Sequence, residues 1–159
     1  MYRDEFTLVL QFLKDAALWL REKQIDYWQS WLNPPAEFVN WIKEGVKNKE
    51  FYMICQANEA IGCFRLQWTD ELFWGNREET SGYVHSFTTA RHLAGQRIGE
   101  RALELIEDYC RQQGKDYLRL DCGKHVTKLC KYYETYGFSN VGEIMVQGEI
   151  MSLYEKRIC

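Results

Sequence analysis

Apolar positions recur along the chain with two different periods, and the changes of period mark its elements. Between residues 4 and 24, Phe6, Leu10, Leu13, Ala17 and Leu20 fall three or four apart, which predicts an amphipathic helix. Asn33-Pro34-Pro35 opens a second helix over 33–47, because proline suits a first helical turn. Phe38, Ile42 and Val46 then recur every fourth residue, with Trp41 beside them. The runs 51–57 (FYMICQA) and 60–68 (AIGCFRLQW) are short, apolar and aromatic, and the polar Asn58-Glu59 between them predicts a β-hairpin. Residues 69–80 mix charges with glycine and aromatics and read as a surface loop. GYVHSFTT (82–89) alternates and predicts a strand.

From Gly95 the pattern is helical again. Ile98, Ala102, Leu105, Ile106 and Tyr109 make a narrow apolar face, and Gly114 supplies a C-terminal cap. DYLRLDC (116–122) predicts a strand with Leu118, Leu120 and Cys122 on one face. A helix over about 124–136 carries Val126, Leu129, Cys130 and Tyr133 on one stripe and ends at Gly137. Two final strands, 138–147 and 150–158, pair through Gly148. The middle strand–helix–strand unit demands a right-handed crossover and a parallel pair, whereas the flanking hairpins are antiparallel. The expected fold is therefore α/β: a single domain over 1–159, with a mixed central β-sheet flanked by about four helices.

Composition narrows the function classes. Lys and Arg number 20 against 23 Asp and Glu, a formal net charge of −3, which argues against a dedicated nucleic-acid binder. Hydrophobic residues make up 46%, enough for a core, and no apolar run approaches the length that spans a bilayer. The opening MYRDEFTLVLQF lacks the basic start and cleavage site of a signal peptide. A cytoplasmic location follows as the expectation, with Cys55, Cys63, Cys110, Cys122, Cys130 and Cys159 as reduced thiols. None of them forms a C-x-x-C pair and only three His are present, so no metal site is expected. All six Trp lie in the first 74 residues, where they serve core packing or line a substrate cleft.

The junction GYVHSFTTARHLAGQRIGERALELI (82–106) carries the most chemistry. A strand ends, a short loop holds Gly95 and Gly99, and a long helix begins. Free N–H groups and the positive dipole end of the first turn attract an anion, and glycines allow close approach. Arg91, Arg97 and Arg101 add positive charge, so the physics points to a diphosphate. The alternative is a helix packed closely on a sheet through small residues. Glu100-Arg101 stands where a Walker loop needs Lys and Ser or Thr, and the spacing is not that of a dinucleotide fingerprint.

Ala94-Gly95-Gln96-Arg97-Ile98-Gly99 resembles the acetyl-CoA diphosphate loop of the GNAT superfamily of N-acetyltransferases, written Q/R-x-x-G-x-G/A. Tyr132-Tyr133-Glu134-Thr135-Tyr136-Gly137-Phe138 resembles that family's Y-E-x-x-G-F segment, and the element order fits over nearly the whole chain. The resemblance implies direct transfer of acetyl from acetyl-CoA to a small-molecule primary amine in a ternary complex. It implies cofactor contacts at Phe87, Thr88, Thr89, Ala94, Gly95, Gln96, Arg97, Ile98, Gly99 and Glu100. It also makes Tyr133 the acid that protonates the departing thiolate, and it allows a homodimer through the C-terminal strands. Three positions depart from the pattern: Ala94 replaces Gln or Arg, Arg97 replaces the first motif glycine, and Val126 replaces a frequent Asn. A non-catalytic acyl-CoA-binding or regulatory module on the same fold is the competing reading.

An alkylammonium must lose a proton before it attacks. Tyr83, His85 and Phe87 share one face of their strand, and His85 has a suitable ordinary pKa if that face meets the substrate. If the face meets the core, His85 is a satisfied buried histidine. Glu71, Glu78, Glu79 or a chain of waters are rival bases, and His92 is a loop residue near the cofactor. Asp121-Cys122-Gly123-Lys124-His125 also offers a Cys–His nucleophile, against which the strand alternation places Cys122 in the core.

Overall fold

A computed structural model describes residues 4–159. Helices α1 (Glu5–Glu22) and α2 (Ala36–Lys47) precede strands β1 (Phe51–Gln56) and β2 (Glu59–Gln67). There follow α3 (Glu71–Trp74), β3 (Ser81–Thr89), α4 (Ile98–Gln112), β4 (Tyr117–Gly123), α5 (Thr127–Thr135), β5 (Ser139–Val146) and β6 (Glu149–Arg157). The described strands form a mixed sheet in the order β1-β2-β3-β4-β6-β5, with β3 and β4 parallel, as the crossover argument requires. Two compact units divide the chain: residues up to Leu66 with Ser86–Gly99, and Gln67–His85 with Glu100–Cys159.

In the first unit, Asp4 caps α1 by accepting a hydrogen bond from Thr7 N at 2.8 Å. Val9, Leu13, Ala17 and Leu20 form the buried face of α1. Val9 and Leu13 join Ile42, Phe51 and Cys63 in one core, against which Trp28, Trp31 and Trp41 pack. The packing reading of the tryptophans thus holds for these three. Helix α2 begins at Ala36 with Pro35 as its N-cap, later than expected, and a short 3-10 turn at Gln29–Leu32 went unread. The first hairpin turns one residue earlier than expected, at Ala57-Asn58, where φ is +50° and +65°. Gly62 is required: a Cβ there would stand 2.3 Å from the Thr88 carbonyl oxygen.

In the second unit, β3 and β4 pair from Ser81–Tyr83 to Tyr117–Arg119, and β6 lies antiparallel to both β4 and β5. The final hairpin turns at Gln147-Gly148, both with positive φ, as expected for that glycine. Strand alternation gives β4 two buried faces. Leu118, Leu120 and Cys122 turn toward α5, where Cys122 Sγ lies 3.5 Å from Cys130 Sγ. Arg119 and Asp121 lie on the other face with Tyr83 and His85. The expected surface loop over 69–80 is a correction: it contains α3, capped by Asp70, and buries Trp74 against Tyr83 and Leu153. Leu105, counted with the apolar face of α4, is 70% exposed, while Leu103 is buried. No described helix is long and apolar enough to cross a membrane.

Candidate active site

The loop before α4 is held by its own backbone hydrogen bonds. Ala94 N donates to the Arg91 carbonyl oxygen, and Gln96 N donates to that of Leu93. Gly95 has φ +88° with open space where a Cβ would be. Arg97, which stands where the motif has glycine, is left-handed with φ +60°. Arg97's side chain is exposed and α4 starts at Ile98. Arg91 is engaged beside the loop rather than open to it. Its Nη2 donates to Thr89 Oγ1 at 2.9 Å, and its guanidinium stacks on Trp19 at 4.7 Å. A groove of about 370 Å3 in this unit is lined by Phe12, Trp19, Thr89, Arg91 and His92 among others. Thr88 is buried and Phe87 half-buried. Regular alternation ends at Ser86, whose φ is +54°, so the expected shared face of Tyr83 and His85 need not continue to Phe87.

Tyr133 is buried on α5, with ring contacts to Phe138 at 5.7 Å and Tyr154 at 6.3 Å. Tyr154 donates to Glu134 Oε2 at 2.8 Å, and burial, then that bond, pushes its phenol pKa up. The tyrosine, glutamate and Phe138 of the Y-E-x-x-G-F segment are thereby tied to β6. Tyr132 half-emerges and meets Tyr136 edge-on at 4.9 Å.

His85 lies on the opposite side of the sheet from Tyr133. Its Nε2 is 2.9 Å from Asp70 Oδ2 and its Nδ1 is 3.9 Å from Asp121 Oδ1. The three side chains are nearly enclosed, at 13%, 7% and 8% exposed respectively. Burial pushes the Asp121 carboxyl up to about 6; His85 pulls it down and Asp70 adds to the rise. Asp70 Oδ1 accepts from Phe73 N at 3.2 Å, whereas buried Oδ2 accepts no hydrogen bond. One donor atom from each of Asp70, His85 and Asp121 falls within 4.8 Å of the others. Phe73 walls the imidazole at 5.7 Å.

Neither aspartate was singled out in the sequence as a partner of His85. Asp121 stands two residues past Arg119 on a strand face, and that period could have flagged it. Arg119 was missed altogether. It is 1% exposed, donates to Tyr83 Oη and Glu155 Oε2 at 3.0 Å each, and lies under Trp74 at 5.0 Å. Of the rival bases, Glu79 is bound to Arg119 at 3.4 Å, while Glu71 and Glu78 are exposed. Cys122 faces Cys130, and burial raises its thiol pKa, whereas His125 pairs with Glu149 at 3.5 Å. The Cys–His nucleophile therefore has no support in the geometry.

The chain is similar to known proteins in sequence and in fold. The chain is 26% identical over 148 residues to the uncharacterized N-acetyltransferase YesJ of Bacillus subtilis, covering 89% of this chain and 79% of the relative. A GNAT-family acetyltransferase from Listeria monocytogenes shares its fold with a TM-score of 0.75 at 21% identity, over 96% of this chain and 89% of that one. A GNAT-family acetyltransferase from Elizabethkingia anophelis, solved with acetyl-CoA bound, aligns with a TM-score of 0.57 at 21% identity, over 79% and 84%. The sequence profile described as the acetyltransferase (GNAT) family matches residues 12–138, most of the chain, and the protein therefore belongs to that family.

Proposed function

We propose that this protein moves acetyl from acetyl-CoA to the primary amine of a small molecule, by direct transfer in a ternary complex. The His85 cluster carries the catalytic reading. A module that only holds acyl-CoA has no use for an imidazole between two buried carboxylates. Backbone N–H groups of Gly95 and of Arg97 to Glu100 receive the diphosphate, supported by left-handed residues 95 and 97 and by the dipole of α4. Thr88, Thr89 and Phe87, on the strand before the loop, Ala94 and Gln96 within it, and Ile98 and Gly99 at its end complete the contact set.

The acceptor ammonium gives a proton to His85, and its freed lone pair attacks the thioester carbonyl. The tetrahedral intermediate then expels the CoA thiolate, which takes the Tyr133 phenol proton; the nitrogen gives up its remaining extra proton through solvent, which restores the phenol, and His85 releases its own proton to water. A cytoplasmic location and a homodimer belong to the same reading. Met145 and Ile150, cross-strand neighbours on the final hairpin, stay exposed and suit the dimer contact.

Thermal unfolding with acetyl-CoA, using ATP and NAD as controls, tests the cofactor. Ligand at about 100 times its Kd adds about 2.7 kcal/mol, a rise of roughly 5–10 °C for a chain of this size. A rise with acetyl-CoA alone, followed by amine-dependent thiol release, is the expected result. A rise without any amine-dependent thiol release would return the protein to the binding-module reading.

A further inference from the structure

Cys122, on β4, and Cys130, on α5, are eight residues apart in the chain, and their Sγ atoms meet at 3.5 Å. A disulfide needs about 2.0 Å between its sulfurs, so the pair has to close by about 1.5 Å, a gap of the size that side-chain torsions span. The two thiols differ in access. Cys130 is half-buried, whereas Cys122 is 1% exposed, and burial pushes its thiol pKa up. A small oxidant therefore meets Cys130 first, with Cys122 in contact behind it. An accessible thiol backed by a second one is the arrangement that lets a sulfenic acid be resolved before it oxidises further. Buried Cys63 makes the contrast: its Sγ faces the Ser86 carbonyl oxygen at 3.9 Å, and an oxygen of that kind resolves nothing.

We propose that Cys122 and Cys130 form an oxidisable dithiol site, which hydrogen peroxide converts to an intramolecular disulfide that ties α5 to β4. Cys130, as its thiolate, attacks one peroxide oxygen. An S–O bond forms, the O–O bond breaks, and the departing hydroxide takes up the proton that Cys130 had lost, giving water and a sulfenic acid. The Cys122 sulfur then attacks the Cys130 sulfur. The S–S bond forms, the S–O bond breaks, and the hydroxyl leaves as water with the Cys122 proton. Two thiols lose two electrons, and one peroxide becomes two waters. Contact offsets the small thiolate population that burial leaves to Cys122, because groups held together react as though at about 10⁵ M or more. Cys130 lies one turn before Tyr133 on α5, so the bond fixes the helix that carries the proposed acid. The dithiol does not rest on the acetyl-transfer reading, and its test needs no acceptor.

The test uses the full chain with Cys55→Ser and Cys159→Ser, which removes the exposed thiols that could join two molecules. Folded protein is treated with hydrogen peroxide, its remaining thiols are blocked with N-ethylmaleimide in denaturant, and trypsin cuts at Lys124 and Lys128, between the two cysteines. The expected product is a peptide pair joined through Cys122 and Cys130, about 2 Da lighter than the two thiol peptides together and separated by dithiothreitol. The oxidised protein should melt roughly 5 °C or more higher, because the bond closes a loop in the unfolded chain, and dithiothreitol should remove the rise. Hydrogen exchange of the α5 amides should slow in parallel. Cys130→Ala should show neither the joined pair nor the rise, and it reports methionine oxidation as a background. Recovery of both cysteines as maleimide adducts overturns the proposal. So does Cys130 recovered as a sulfinic acid beside a free Cys122, or a joined pair that lowers Tm. Each of these results leaves acetyl transfer standing, since no acetylation is read.

Discussion

The substitution Asp121→Asn should stabilise the protein at alkaline pH and do little at acid pH, while reducing activity. Asp121 is 8% exposed, and burial raises its carboxyl to about 6 from an ordinary 3.8. It faces His85 from β3, Asp70 ahead of α3 and the apolar Leu153 from β6. A folded-state pKa above the unfolded value means that folding favours the protonated form. The contribution to stability is therefore fully present below the unfolded pKa and is lost as pH rises through the folded one. A displacement of about 2 units corresponds to about 3 kcal/mol lost by pH 8, of which about half is already lost at pH 5. Asparagine has the same shape and no charge to desolvate. Relative to wild type, the variant should gain about 1.4 kcal/mol between pH 5 and pH 8, or roughly 3–5 °C in Tm for a chain of this length. Urea melts at both pH values read the difference directly. A variant whose advantage is the same at the two pH values, or which is less stable at pH 8, refutes the account of a buried carboxylate held at a cost.

Other expectations follow from single contacts. Tyr133→Phe should lower kcat by about 100-fold, the lower end of general acid–base contributions, with acetyl-CoA affinity within twofold of wild type; equal activity removes Tyr133 from the mechanism. Arg97→Gly relieves a left-handed arginine and should add about 0.5–1 kcal/mol to stability in a thermal melt. A simultaneous loss of acetyl-CoA affinity would show that the Arg97 charge contributes more than the loop's backbone. Gly62→Ala drives a methyl against the Thr88 carbonyl oxygen, with Thr89 Cα and the Ile54 side chain also in close contact, and should cost about 3 kcal/mol by denaturant melt.

The parts of this structure legible in the sequence are those where local pattern and tertiary role agree. The α4 seam of Ile98, Ala102 and Ile106, the Gly114 cap and the glycine turn at 148 each satisfy one period or one dihedral. Residues 69–80 were misread because their charge looks solvated, yet Asp70 turns inward to cap a four-residue helix and meet His85. Arg119 escaped notice for a related reason: on an alternating strand a charged residue is assigned to solvent, whereas here three aromatic rings and two carboxylates enclose it. The loop before α4 reads as an anion site in the sequence, but its dihedrals do not. Only the structure shows that Arg97, where the motif has glycine, takes a left-handed backbone.

The two proposed catalytic groups lie on opposite faces of one sheet, and that separation has a kinetic consequence. On β4, Leu120 and Cys122 face the helix that carries Tyr133, while the intervening Asp121 faces His85. Acid and base therefore stand on the two faces of the sheet, and each acts on a different atom of the tetrahedral intermediate. His85 serves the nitrogen and Tyr133 serves the sulfur. Losing the base should then matter most for amines that are hardest to deprotonate. Losing the acid should matter alike for every amine, because the leaving group is always the CoA thiolate. Across a series of alkylamines of graded basicity, the activity lost in His85→Gln should grow with amine pKa, and the activity lost in Tyr133→Phe should be flat. If both variants show the same slope, one proton relay serves both steps, and the division of labour between the faces is wrong.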